Sequence, residues 1–146
     1  MRSDDFLHRL DESAVIAAIE ATERLTSGEI RVYVSNKNVT DPLERAAFQF
    51  KQLGMHATRE RNGVLLYFAP QSQKFAVIGD TGIHTKCGQA FWDEVAADIR
   101  THLRGQNFTE AVVLAVRKVG QLLASHFPPR PDDQNELPNT IEGGPD

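Results

Sequence analysis

Glu60-Arg61-Asn62-Gly63-Val64-Leu65-Leu66-Tyr67-Phe68-Ala69-Pro70-Gln71-Ser72-Gln73-Lys74-Phe75-Ala76-Val77-Ile78-Gly79-Asp80-Thr81-Gly82-Ile83-His84 decides the fold. Val64–Ala69 is apolar at every position, which suits a strand buried on both faces. Pro70 ends the run, Gln71-Ser72-Gln73 turns the chain, and Phe75–Ile78 returns it to Gly79-Asp80-Thr81-Gly82. The pattern predicts an antiparallel hairpin at the centre of a sheet covered by helices on both sides. Its two ends remote from the turn are polar and glycine-punctuated, and the hairpin sets them side by side. A functional site is expected there.

Upstream, Glu29–Ser35 alternates, with Ile30, Val32 and Val34 on one face and Arg31 and Tyr33 on the other, which predicts a strand. Asp41-Pro42-Leu43-Glu44 then opens a helix, with Asp at the N-cap and Pro at the first helical position. Leu43, Ala47, Phe50 and Leu53 are expected to form its buried stripe, and Gly54 its left-handed end. Strand, helix and strand make a βαβ unit, so the two strands run parallel. A helix opening at Asp11, or earlier at Asp4, precedes the unit and turns Val15, Ile16, Ile19 and Leu25 inward. Beyond the hairpin, a helix capped near Thr85 runs to Arg104 on a stripe of Phe91, Val95, Ile99 and Leu103, widened by Trp92. The last helix opens at Asn107-Phe108-Thr109-Glu110 and buries Val112, Val116, Val119, Leu123 and Phe127. This order predicts an α/β fold, a three-layer α/β/α sandwich around a small mixed sheet with helices on both faces.

The chain of 146 residues, 40% hydrophobic and 25% charged, has the length and composition of one soluble domain. Residues 1–127 carry 15 Lys+Arg against 15 Asp+Glu, so the net charge of −4 lies wholly in 128–146. A neutral body without a basic face excludes nucleic-acid binding as an expectation. The segment 128–146 holds five of the seven prolines and is expected to be extended or disordered and to add little stability, unless Leu137 and Ile141 dock on the body. No apolar run approaches the ~20 residues of a membrane span. The single Cys87 excludes an internal disulfide, and the acidic opening residues do not read as a leader, so a cytoplasmic location is expected.

The order of several motifs resembles the TPM-domain family. They are Gly-Glu-Ile-Arg-Val at 28–32, Leu-Glu-Arg-Ala at 43–46, Arg-Asn-Gly-Val-Leu-Leu at 61–66 and Phe-Ala-Val-Ile-Gly-Asp-Thr-Gly-Ile at 75–83. Phe-Trp-Asp-Glu-Val at 91–95 and Asn-Glu-Leu-Pro at 135–138 continue the series. The likeness covers roughly residues 13–127 and implies an α/β/α sandwich. Members include a plant thylakoid protein of photosystem II repair with reported acid phosphatase activity, a receptor-modulating animal protein and small bacterial proteins reported to bind divalent cations.

The topology concentrates polar groups at one end of the sheet. Glu29 begins the first strand, Asn62 precedes the second, and Asp80 follows the third, with Glu60, Arg61 and His84 nearby. Carboxylate and amide oxygens converging there suit a hard cation, Ca²⁺ or Mg²⁺. Alternatively, Glu29 pairs with Arg61 while Asp80 merely caps the Gly79–Gly82 turn. Asp93 either reaches the same loop or faces solvent. Asp80-Thr81-Gly82 matches the aspartic-protease triplet, but those enzymes need two such carboxylates. Cys87 lacks the Arg six residues on that a cysteine-phosphatase loop requires. Three functions follow. The first is a non-enzymatic module binding a divalent cation and a protein partner. The second is a metal-assisted phosphomonoesterase with Arg61 on phosphate and His84 as acid. The third is an interaction module without ligand.

Overall fold

The computed structural model describes residues 1–129 and 141–144. Its elements are α1 (Ser3–Arg9), α2 (Glu12–Glu23), β1 (Glu29–Ser35), α3 (Pro42–Gln52), β2 (Gly63–Ala69), β3 (Lys74–Gly79), α4 (Thr81–Cys87), α5 (Gln89–Arg104), α6 (Phe108–His126) and β4 (Ile141–Gly144). Short 3₁₀ turns at Met55–Ala57 and Pro70–Ser72 complete them. The strand order is β3-β2-β1-β4. β2 pairs antiparallel with β3, from Val64 opposite Gly79 to Ala69 opposite Lys74. β1 lies parallel to β2, with Glu29 opposite Gly63, and parallel to β4, with Val32 opposite Ile141.

The pleat divides two cores. Ile30, Val32, Val34, Val64, Leu66 and Phe68 face α1, α2, α5 and α6. Tyr33, Leu65, Tyr67 and Ala69 face α3 through Ala46 and Phe50. Every residue of β2 is buried, as its unbroken apolar run requires. The expected sandwich is therefore the fold: one helix covers one face of the sheet and the remaining helices the other.

Four local expectations change, and the segment 128–146 adds an element. The helix expected from Thr85 to Arg104 is two helices. Asp80 caps α4, and Gly88, at φ 76, breaks the chain before α5. α1 is likewise separate from α2, whose N-cap is Asp11. On α3 the buried face is Ala46, Gln49 and Phe50, while Leu43 stays 60% exposed and Ala47 is exposed. Leu25 lies past the end of α2 and is 59% exposed. Within 128–146, Ile141–Gly144 add a fourth strand to the sheet, and Leu137 lies outside the described residues.

The fourth strand solves a problem that β1 creates. The Arg31 side chain is 4% exposed, because β1 has neighbours on both sides and α3 over its face. A buried guanidinium needs a carboxylate. Glu142 of β4 supplies it, accepting from Arg31 Nη2 at 2.5 Å.

Candidate functional site

Asp80 is the centre of the polar end. Its Oδ1 accepts the Thr81 N–H at 2.7 Å and so satisfies a free amide at the start of α4. Arg61 grips the same carboxylate with both arms: Nε donates to Oδ2 at 2.8 Å and Nη2 to Oδ1 at 3.1 Å. This is the bidentate fork that matches a carboxylate plane. Asp80 is 6% exposed, while half of the Arg61 side chain meets solvent. The hydrogen bond and charge of Asp80 raise the Arg61 guanidinium above its ordinary pKa.

The backbone reinforces this clamp. Arg61 adopts φ 52, a left-handed conformation uncommon outside glycine. In that conformation its carbonyl accepts the Gly82 N–H at 2.8 Å. A Cβ on Gly82 would collide with the Glu60 carbonyl oxygen and lie 2.6 Å from that of Arg61. Loop 60–62 thus closes on α4 through a side-chain fork and a backbone bond, and only glycine admits the approach.

A second cluster lies beside it. Ser27 Oγ donates to Glu60 Oε2 at 2.6 Å, and Asn62 Nδ2 donates to the same oxygen at 3.2 Å and to Ser27 Oγ at 3.3 Å. Ser27 N donates to the Phe127 carbonyl at 3.0 Å, and Thr26 Oγ1 donates to it as well, which ties the end of α6 to this corner.

Glu29, Asn62 and Asp80 do share one end of the sheet, but their side chains are not brought into one cage. Glu29 has the strand parity of Arg31 and Tyr33, so the pleat sends it to the α3 face, whereas Asn62 has the parity of Val64 and turns the other way. Arg61 pairs with Asp80 and not with Glu29. His84 is exposed on α4; Asp93 is exposed on α5 and accepts from Gln89 Nε2 at 3.0 Å. Among the described residues no group of three His, Cys, Asp or Glu side chains is placed to hold a metal ion. Cys87 ends α4, and burial pushes its thiol above the ordinary value, which disfavours the nucleophilic thiolate.

Ser27 is the residue whose part in the site sequence reasoning missed. Thr26-Ser27-Gly28 reads as a helix stop, and nothing in its composition distinguishes a hydroxyl that stops a helix from one that holds a carboxylate.

The fold defines a class, small α/β/α domains built on a mixed four-stranded sheet. The model of the TPM domain matches residues 1–122, and the chain belongs to that family. It is similar to the BA42 protein of the psychrophilic bacterium Bizionia argentinensis, solved by NMR. The TM-score is 0.84 at 39% identity over 91% of this chain and 92% of that one. The N-terminal domain of cg2496 from Corynebacterium glutamicum shares the fold. Its TM-score is 0.59 at 17% identity, over 76% of this chain and 70% of that one. No curated protein matches the chain. No helix among the described residues is long and apolar enough to cross a membrane.

Proposed function

We propose that this TPM domain is a non-enzymatic binding module that takes a divalent cation, Ca²⁺ or Mg²⁺, at the Asp80 end of the sheet in exchange for the Arg61 guanidinium. The observation that carries the reading is the asymmetry of the ion pair: a buried carboxylate is neutralised by a half-exposed arginine. Such an arginine can leave for water; Asp80 Oδ2 then becomes free, and Oδ1 keeps only the Thr81 N–H. Carboxylate oxygens are the donors that hard cations prefer, and the Glu60 carboxylate adjoins the same loop. The donor chemistry fits; the arrangement is not a preformed cage, since Asn62 turns its amide nitrogen toward Glu60 and Glu29 lies on the other face. The non-enzymatic part of the reading is supported by how the corner's polar groups are used. Serine, amide and carboxylate are spent on one another.

The test is thermal melting with Ca²⁺ and with Mg²⁺. A cation at 100 times its dissociation constant adds about 2.7 kcal/mol, which raises the midpoint by several degrees. Asp80→Asn should remove most of that shift, and Arg61→Ala should increase affinity by about tenfold by removing the competitor. No shift at millimolar cation, or unchanged affinity in Arg61→Ala, sinks the exchange. In parallel, p-nitrophenyl phosphate should not be hydrolysed above background; turnover lost in Asp80→Asn would make the corner a phosphatase.

A further inference from the structure

A cleft of about 530 Å³ lies at the opposite end of the sheet, bounded by α1, the hairpin turn, α5 and the start of α6. Its floor is a row of aromatic rings. Phe108 lies 5.2 Å from Phe6, Phe6 lies 5.7 Å from Phe68, and Phe68 lies 6.3 Å from Phe75, centroid to centroid. A guanidinium stands at each end of the row: Arg9 4.6 Å from the Phe108 centroid and Arg100 5.7 Å from that of Phe75. Arg104, one helical turn beyond Arg100, also lines the cleft. Among the described residues no Asp or Glu lines the cleft.

Several other cations of the molecule are ion-paired. Arg61 has Asp80, Arg31 has Glu142, and Lys118 has both Glu94 and Asp98. Arg100 and Arg104 make no ion pair among the described residues. Like charges spaced i, i+4 on a helix repel. Among the described residues, positive charge without an acid partner thus stands beside an aromatic floor, in a volume typical of small-molecule pockets. Lys74 lines the cleft with its stem, since its ammonium donates to the Thr40 carbonyl at 2.7 Å.

We propose that this cleft binds a small amphipathic organic anion, with its carboxylate or phosphate held by Arg100 and Arg104 and its flat apolar body laid along the Phe6–Phe68–Phe75 floor. The planar guanidinium matches such anions bidentately. The apolar body supplies the burial that a free anion in water lacks. The proposal is independent of the cation reading, because the two sites lie at opposite ends of the strands.

The full chain is titrated, by calorimetry and by amide chemical shifts, with naphthalene-1-acetate, with neutral 2-(1-naphthyl)ethanol, and with acetate. Naphthalene-1-acetate is expected to bind and to shift the amides of α5 and the hairpin turn. The neutral compound should bind about tenfold more weakly or worse, and acetate not measurably. Arg100→Gln with Arg104→Gln should weaken naphthalene-1-acetate by about tenfold or more without unfolding the domain, because both side chains are exposed. Arg117→Gln, an exposed arginine on α6 that does not line the cleft, should leave affinity unchanged. No binding at millimolar concentration overturns the proposal. So does equal affinity for the neutral compound, or indifference to the double substitution.

Discussion

The two ends of the central strands use charge in opposite ways. At the Asp80 end the carboxylate is gripped by Arg61, and Ser27, Glu60 and Asn62 bond among themselves. At the hairpin end Arg100 stands over the Phe75 ring and Arg104 lines the same cleft, and among the described residues neither has an acid partner. A charge answered from within the chain fastens loops together. A charge left unanswered costs the fold a little and stays available to a ligand. Substitutions at the two ends should therefore differ greatly in their effect on stability.

The largest effect is expected at the closed end. Gly82→Ala forces a methyl group into two carbonyl oxygens of the 60–62 backbone, where no flexible side chain can yield. Relieving it means opening the loop and losing both the Gly82–Arg61 bond and the fork on Asp80. A loss of about 3 kcal/mol or more is expected, a fall of around ten degrees in melting temperature. A loss under about 1 kcal/mol would show that the approach is looser than drawn.

Arg31 and Glu142 are an intermediate case, an answered charge whose partner comes from far along the chain. Ending the chain at residue 140 removes β4 and leaves a nearly fully buried guanidinium without its carboxylate. Hydrogen bonds to charged groups contribute about 1.5–3 kcal/mol, so a loss of about 2 kcal/mol is expected in chemical denaturation. An unchanged midpoint would mean that the fourth strand contributes nothing in solution. The smallest effect belongs to the open end. Arg104→Gln should alter stability by no more than about 0.5 kcal/mol, with a slight gain where repulsion from Arg100 is relieved. A loss beyond about 1 kcal/mol would make Arg104 a structural residue and weaken the contrast.

Much of this architecture was legible in the residues. A run such as Val64–Ala69 has no polar side to offer, so a central strand was the only comfortable reading, and the βαβ unit followed from Asp41-Pro42 and Gly54. What escaped was set by tertiary context. Ile141-Glu142-Gly143-Gly144 shows no alternation and contains two glycines; it is a strand because β1 presents a free ladder and a buried Arg31. Gly79-Asp80-Thr81-Gly82 carries the composition of a turn, and the same residues also suit a helix cap followed by a close backbone approach. Arg61 is the hardest case. Left-handed backbone favours glycine or asparagine, and the adjacent Asn62-Gly63 draws attention to itself, yet the arginine takes that conformation because its fork and its carbonyl are both engaged. The end of the sheet at which polar groups gather was foreseeable. Which of them touch was not, because the pleat places Glu29 and Asn62 on opposite faces.

The fourth strand also has a bearing on how the molecule behaves in company. Without Ile141–Gly144, the Val32–Ser35 half of β1 would offer a row of open amides and carbonyls, flanked by the wholly apolar β2, as a template for another chain. Such an edge invites strand-to-strand aggregation. The short segment that covers it makes a poor template itself: it is only four residues long and ends in two glycines, the last at φ 127. Its contribution to colloidal behaviour is therefore out of proportion to its length, since it exchanges an adhesive margin of the sheet for one on which little can grow.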